Sequence, residues 1–408
     1  MSSSFPFLLL ALPFASALFS ADFRRFLVER HDEEAAGRLE RGDLGAAGSF
    51  GGCEAVECAI PTVGRRPVVF VHGAAGNAGV FVLHAAFFRL GGYSPAELVA
   101  TSLPDLHRVS CANVKQVRLL IDAVHAYSGS HVDVLAASMG AAVARKAFLG
   151  GRCADEDVPL GPPLTPLVHS FLAVDGVGRG AADCRRVIEG REDEFCDART
   201  GIRPDSTVMS ELSAQSAHFE SHGRTIALFD PNDRLLGGSC GEHECMEIPT
   251  ADFSLAAATP HHGWLTLNTP LLQLMLLSAP LNESLQAAAQ MGFTIKEGTN
   301  AQGAQLLAVV QRTVGGDVVV LNTHEHMNSS ILSSSLTSKN HEMPVRGSKL
   351  RHVPSAHQTA VGANFAQRRQ RSASKRRRMS GWWARWTASG STDGATTSRP
   401  AIAFRRIA

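Results

Sequence analysis

The segment Val132-Asp-Val-Leu-Ala136-Ala-Ser138-Met-Gly140 constrains the fold more than any other part of the chain. Val132–Ala136 is a short apolar run with β-branched residues and reads as a buried strand. Met139–Leu149 follows almost at once and reads as a helix closed by Gly150-Gly151. A strand that turns into a helix so abruptly tolerates only small residues in the turn and lifts the turn residue above the strand end. The same alternation recurs along the chain. Pro67–His72 predicts a strand that opens into the loop Gly73–Gly79. Val114, Val117, Leu120, Ile121 and Val124 recur at helical spacing and stop before Ser128-Gly129. Phe171–Val174 and Ile226–Phe229 predict two further strands, and Pro270 introduces a helix over Leu271–Leu277. The expected class is therefore α/β: a mostly parallel sheet with helices on both faces. In such sheets the ligand lies beyond the carboxyl ends of the strands.

The ends of the chain differ from this middle. The net charge of +1 over 408 residues is an average of two unlike regions. Residues 331–408 hold 15 Lys and Arg against 2 Asp and Glu, a net of +13, which leaves −12 for the first 330. That basic stretch centres on Arg368–Arg378, is rich in Ser, Thr, Gly and Arg, and has little apolar periodicity. It predicts a low-complexity disordered tail. Trp382, Trp383 and Trp386 beside the basic run offer a membrane-surface or nucleic-acid reading, but a solvated tail is the plainer one. At the other end, the apolar run Phe5–Phe14 is followed by Ala15, Ser16 and Ala17, the pattern of a secretory signal, although no basic residue precedes it. No apolar run approaches the roughly 20 residues that a transmembrane helix needs.

All eight cysteines fall between Cys53 and Cys245. With a secretory leader they read as disulfides. The closely spaced candidates are Cys53/Cys58, Cys184/Cys196 and Cys240/Cys245, leaving Cys111/Cys153. A metal site at Cys240-Gly-Glu-His243-Glu-Cys245 lacks a second paired motif at the usual spacing. Asn282-Glu-Ser284 and Asn328-Ser-Ser330 are glycosylation sequons. The expected organisation is a signal over 1–17, an α/β domain over 18–290, an extension of unassigned role over 291–330 and the basic tail over 331–408.

Ser138 occupies the strand-to-helix turn, where a nucleophile would sit. Gly140 is small as the turn demands, and Ala136 replaces the more usual glycine with only a methyl group. The backbone N–H groups of Met139, at the helix start, and of Ala74, after Val71-His72-Gly73, are candidates for an oxyanion hole. His72 precedes the nucleophile on that loop and reads as structural. An α/β hydrolase takes its acid, then its histidine, after the serine. Asp233 in Asp230-Pro-Asn-Asp233 is the favoured acid. Asp230, nearer the strand, could cap the turn, and Asp175, just past Phe171–Val174, is a rival. The base falls in Pro260-His261-His262-Gly263-Trp264, where either histidine fits; His169, His218 and His222 precede the acid and fit less well.

These residues and their surroundings resemble the secreted class 2 lipases, EstA/EstB-type esterases that include nematode lipase-related proteins. Gly48-Ser-Phe-Gly-Gly52, Pro67–Gly73, Val114–Ile121, Val132–Gly140, Ala144–Gly151 and Asn232–Gly237 with Cys240-Gly241 carry the resemblance over roughly residues 18–280. It implies the α/β-hydrolase fold, Ser138 as nucleophile and Asp233 as acid. The family's histidine stands a short distance before an Asn-Thr pair, matched here by Asn268-Thr269, which favours His262 over His261. Two places depart from the family pattern: Ala173–Gly180 carries Asp175, and Gly263 follows the histidine where a polar residue is usual.

The expected activity is hydrolysis of lipid or carboxylic esters by a Ser-Asp-His triad through an acyl-enzyme, with no metal and no organic cofactor. The expected partner is a lipid or small ester substrate, met at a lipid–water interface, with no nucleic acid and no transmembrane segment, and the expected location is extracellular. The alternatives are a thioesterase or acyltransferase on the same triad and a catalytically silent lipid-binding relative.

Overall fold

The structure, a computed structural model, describes residues 18–53, 65–187, 189–259, 261–298, 309–312 and 318–321. The proposed signal, Cys58, Asn328 and the basic tail lie outside these residues.

The chain begins with helices α1 (Ala21–Arg30) and α2 (Glu33–Glu40), then β1 (Ser49–Phe50), β2 (Val68–Val71), α3 (Val82–Leu90) and β3 (Leu98–Thr101). Next come α4 (Cys111–Ser128), β4 (Val132–Ala137), α5 (Met139–Leu149), the short strands β5 (Gly151–Arg152) and β6 (Pro159–Gly161), and β7 (Val168–Val174). The segment α6 (Glu192–Phe195) and α7 (Thr207–Ser213) leads to β8 (Arg224–Phe229), the small hairpin β9 (Ser239–Cys240) and β10 (His243–Glu244), and β11 (Phe253–Ala256). The last elements are α8 (Trp264–Asn268), α9 (Pro270–Ser278), α10 (Leu281–Gln290), β12 (Thr294–Glu297) and a hairpin of β13 (Val309–Arg312) and β14 (Val318–Leu321).

Eight strands form the main sheet in the order β1-β3-β2-β4-β7-β8-β11-β12. The six central strands run parallel, and the edge strands β1 and β12 are antiparallel to their neighbours. Both faces are covered, so the inner strands bury apolar side chains on both sides rather than on one. Val69 and Val71 of β2, Val134 and Ala136 of β4, and Phe171 and Ala173 of β7 join one core with α1, α2, α4, α5 and α7. Val68, Phe70, Leu135, Leu172 and Leu228 face the other way and pack with α3, α9 and α10. Phe70 stacks there on Phe81 and meets Phe88 edge-on.

Local signals set the helix ends. The Ser110 hydroxyl accepts from the Asn113 N–H to cap α4, and Gly129 closes it in the left-handed conformation that a side chain resists. The central strands and α4, α5 and α9 stand where the sequence pattern puts them. Leu98-Val-Ala-Thr101 and Phe253-Ser-Leu-Ala256 were not expected as strands. Each is four residues long and mixes small and polar side chains, so its pairing comes from its neighbours. The sheet also continues past residue 290 through β12.

Cys111–Cys153 ties the start of α4 to the segment after α5, Cys184–Cys196 closes a short loop, and Cys240–Cys245 spans the small hairpin. Cys53 is also disulfide-bonded. The Cys111–Cys153 loop spans 42 residues, and closing a loop of that size stabilises a fold by about 4 kcal/mol through the unfolded chain. The bonded pair Cys240 and Cys245 is not available to hold a metal beside His243. Asn282 is exposed at the start of α10. Among the described residues no helix is long and apolar enough to cross a membrane.

One buried ion pair joins the layers around α5. Arg145 and Glu220 are both fully buried, with Nε donating to Oε1 at 3.0 Å. Arg145 also donates to the carbonyls of Gly178 and Leu212, and Thr250 donates to Glu220. Arg145→Leu would strand the Glu220 charge in the core and is expected to cost about 3–5 kcal/mol. Urea denaturation measures this; a change below about 1 kcal/mol would show that the pair is dispensable.

Candidate active site

The loops at the carboxyl ends of β2, β4, β7, β8 and β11 converge at one end of the sheet, where the open-sheet rule puts a ligand. Ser138 sits between β4 and α5 at φ 53° and ψ −128°. This positive φ is costly for a residue other than glycine. Three hydrogen bonds in the turn hold it: Ser138 N–H to Val174 O, Val177 N–H to Ser138 O, and Ala141 N–H to Ser138 O. Gly140 is required because a Cβ there would lie 2.4 Å from His72 O and 2.7 Å from Val71 O. Gly73 is required for the same reason, since a Cβ would lie 2.6 Å from Ser138 Cβ.

Three of the expected residues come together. His262 Nε2 stands 2.9 Å from Ser138 Oγ, and His262 Nδ1 stands 2.8 Å from Asp233 Oδ2. The carboxylate accepts only, so the ring proton sits on Nδ1 and Nε2 presents a lone pair to the serine O–H. The second Asp233 oxygen accepts from the N–H groups of Leu235 at 2.7 Å and Leu236 at 3.0 Å. Burial alone would push the Asp233 carboxyl up. The hydrogen bond and charge of His262, with the two backbone donors, outweigh that and hold it below its usual range. Asp233 is thus an ionised, buried partner for the ring.

The remaining candidates fall elsewhere. Asp230 is buried and accepts from Asn232 N–H and from the N–H and O–H of Thr259, so it braces the acid loop against the histidine loop. His261 is exposed. His72 is fully buried: Nδ1–H donates to Gly73 O and Nε2 accepts from Leu103 N–H, both at 2.8 Å. Burial pushes its pKa down to about 4, so it is neutral at physiological pH and serves as a fixed strut of the loop. Met139 opens α5, and its N–H belongs to the first turn, which has no intrahelical acceptor. The Gly73 contact brings the Ala74 loop against Ser138. His218 bonds Thr225 near the start of β8, and His169 and His222 pack on each other by the starts of β7 and β8, at the opposite end of the sheet.

Asp175 is fully buried at φ 48°. Its Oδ2 accepts from the N–H and O–H of Thr266, four residues beyond His262. His84 and Gln273 donate to the Thr266 carbonyl. Thr266, His84 and Gln273 were not anticipated. The bond between His84 and Thr266 spans 182 residues, and no local pattern marks a contact of that kind.

With this geometry the family is clear. Residues 65–274 match Lipase (class 2), more than half of the 408-residue chain, and the chain belongs to that family. Its sheet and loop order are those of an α/β hydrolase. Similar solved structures include Aspergillus fumigatus lipase B, at 18% identity and TM-score 0.36, covering 50% of this chain and 45% of that one. The mature form of Bacillus licheniformis lipase BlEst2 is 15% identical, with TM-score 0.30 and coverage of 44% and 69%. Apo Thermogutta terrifontis esterase 2 is 12% identical, with TM-score 0.34 and coverage of 60% and 88%. The chain thus spans less than half the length of the Aspergillus lipase. No curated protein matches its sequence.

Gly140→Ala places a methyl group against main-chain carbonyls that cannot rotate away. It should lower stability by about 1–3 kcal/mol. Thermal melts followed by circular dichroism test this, and an unchanged midpoint would mean that the elbow is looser than the contacts imply.

Proposed function

We propose that the chain is a secreted serine hydrolase of the carboxylic ester bonds of lipids, triacylglycerols among them, with Ser138, His262 and Asp233 as its triad. The observation that carries this reading is the unbroken run of hydrogen bonds from Ser138 through His262 to Asp233 in a chain of the class 2 lipase family. His262 Nε2 takes the serine proton as Ser138 Oγ attacks the ester carbonyl carbon. The N–H groups of Ala74 and Met139 hold the oxyanion, each donor contributing about 3 kcal/mol in a site of this type. The tetrahedral intermediate collapses, the C–O bond to the alcohol breaks, and His262 returns the proton to the departing oxygen. Water then gives a proton to His262 and attacks the acyl-enzyme, releasing the acid and restoring Ser138. Asp233 keeps the ring oriented and stabilises it while charged.

The surface around this site favours a lipid phase. Of eight large apolar residues exposed among the described residues, six lie on α3, α8 and α9: Leu83, Phe87, Leu90, Trp264, Leu267 and Leu271. Trp264 is two residues from His262, and the bond from His84 to Thr266 joins α3 to α8. Leu83, Trp264, Leu267 and Leu271 lie on the turns next to this bond and suit the edge of a lipid aggregate, whereas Leu90 lies at the far end of α3, where Arg65 bonds Gly91. The disulfides accord with an oxidising compartment. A silent lipid carrier has no need of an aligned triad, which favours the enzyme.

A fluorophosphonate probe should label Ser138 in folded protein, as peptide mass mapping would show. Ser138→Ala and His262→Ala should each lower ester hydrolysis by at least roughly a thousandfold. An adduct on another serine, or full turnover without Ser138, would refute the assignment. Leu83→Ser with Leu271→Ser should weaken adsorption to a triglyceride emulsion and leave hydrolysis of a soluble short-chain ester unchanged. Equal loss on both substrates would reject these turns as a lipid-contact surface.

A further inference from the structure

Helix α8 begins directly after His262, and its N-terminus lacks a cap of its own. The residue in the cap position is Gly263, at φ 77°, which offers no side-chain acceptor. The acceptor comes instead from Asp175, 91 residues earlier in the chain. Its Oδ2 takes the Thr266 N–H at 3.1 Å and the Thr266 O–H at 3.2 Å. Asp175 follows Val174, whose carbonyl accepts the Ser138 N–H, and its loop continues to Val177, which donates to the Ser138 carbonyl. One carboxylate therefore sits between the turn that carries the serine and the turn that carries the histidine. Helix capping alone would be met by a neutral acceptor such as Asn. Asp175 is instead a buried carboxyl with no cation bonded to it among the described residues, and its Oδ1 has no hydrogen-bond partner.

We propose that Asp175 is a positioning residue of the triad, which locks the His262 turn onto the Ser138 turn and whose negative charge favours the protonated imidazole formed during acyl transfer. The proposal rests on the reading of Ser138, His262 and Asp233 as the catalytic set. The ionisable groups that face Asp175 are few. His262 lies in the turn before α8, Asp233 lies in the loop after β8, and His84 of α3 reaches the same Thr266 from the other side. Burial pushes the Asp175 carboxyl up, against the pull of His262 and Thr266, to about 6. His84 is held below its usual range, first by burial, and is neutral. Above about pH 6 the site holds two carboxylates around one imidazole; below it Asp175 becomes neutral and His262 loses that support.

The linkage has a definite sign. A carboxyl whose pKa is higher in the folded state stabilises the fold at low pH, and that stability is lost as the pH rises from about 4 through about 6. Relative to wild type, Asp175→Asn should therefore gain in melting temperature over that window while it loses turnover. A residue that served only the fold would lose both together.

The test uses the full chain. Active sites are counted by fluorophosphonate labelling, and kcat and KM for a soluble ester are measured per labelled site between about pH 5 and about pH 8, the range in which these groups act. Asp175→Asn should lower kcat about tenfold, the size expected for a charge acting at a helix terminus in a partly buried site, with KM unchanged. The ionisation near 6 should vanish from its kcat profile. Unchanged kcat and pH profile per labelled site would overturn the proposal, as would a loss confined to the labelled fraction. Thr266→Val decides the matter if Asp175→Asn does not fold. It removes one donor to the ionised carboxylate, so the acid limb should move to higher pH, and an unmoved limb would again overturn the proposal. Wild type that does not label at Ser138 would reject the triad and this inference together; wild type that labels while Asp175→Asn matches it would reject the inference alone.

Discussion

The site depends on one close approach, that of the start of α5 to the end of β2. Gly140 leaves no room for a Cβ beside the carbonyls of Val71 and His72, and Gly73 leaves none beside Ser138. Backbones come this near only where the residue on one side has no Cβ. The contact brings the loop of Ala74 beside Ser138, which sits at positive φ. The strain is carried by the turn's own hydrogen bonds to Val174, Val177 and Ala141. These bonds join the β4 turn to the loop after β7, so the serine rests on a framework rather than on a free loop.

Around that framework buried polar groups are arranged in pairs and chains. His72 is made neutral by burial and holds the loop of Ala74 through two backbone contacts. Asp233 is kept ionised by His262 and two amides. Asp230 holds the acid loop to the histidine loop through Thr259. The Arg145–Glu220 pair fixes the opposite side, where α5, α7 and the strand β8 meet. Each costs desolvation and contributes order: the elements move as a unit because breaking any pair leaves a polar group buried without its partner. The outer faces of α3, α8 and α9 are of another kind. Leu83, Leu90, Leu267 and Leu271 keep large apolar surface in water, which helps neither solubility nor the core.

Legibility follows the range of the interactions. The central strands and the helices α4, α5 and α9 could be read because burial on both faces makes long apolar runs and because Gly129 and Gly150 close their helices locally. Ser138 could be read from the turn chemistry around it, whereas Asp233 was favoured over Asp230 and Asp175 without being set apart from them. His262 was separable from His261 through the family's Asn-Thr spacing, since both histidines sit in the same loop. The short strands Leu98–Thr101 and Phe253–Ala256 carry no such pattern. The bonds of Thr266 to Asp175 and His84 left no mark because 91 and 182 residues separate these partners from it.

By itself the sequence determined the alternating α/β architecture, the elbow at Ser138 and the order of serine, acid and histidine. These are local or periodic properties: the side-chain period of a strand or helix, the smallness of a turn and the position of a loop after a strand. The tertiary structure alone decided which carboxylate meets the histidine. Asp175, Asp230 and Asp233 all lie just past strand ends, and in sequence each could serve. Folding gave Asp233 to the ring, Asp230 to Thr259 and Asp175 to the cap of α8. The choice rests on distances of a few ångströms between segments far apart in the chain, which only the packed sheet brings together.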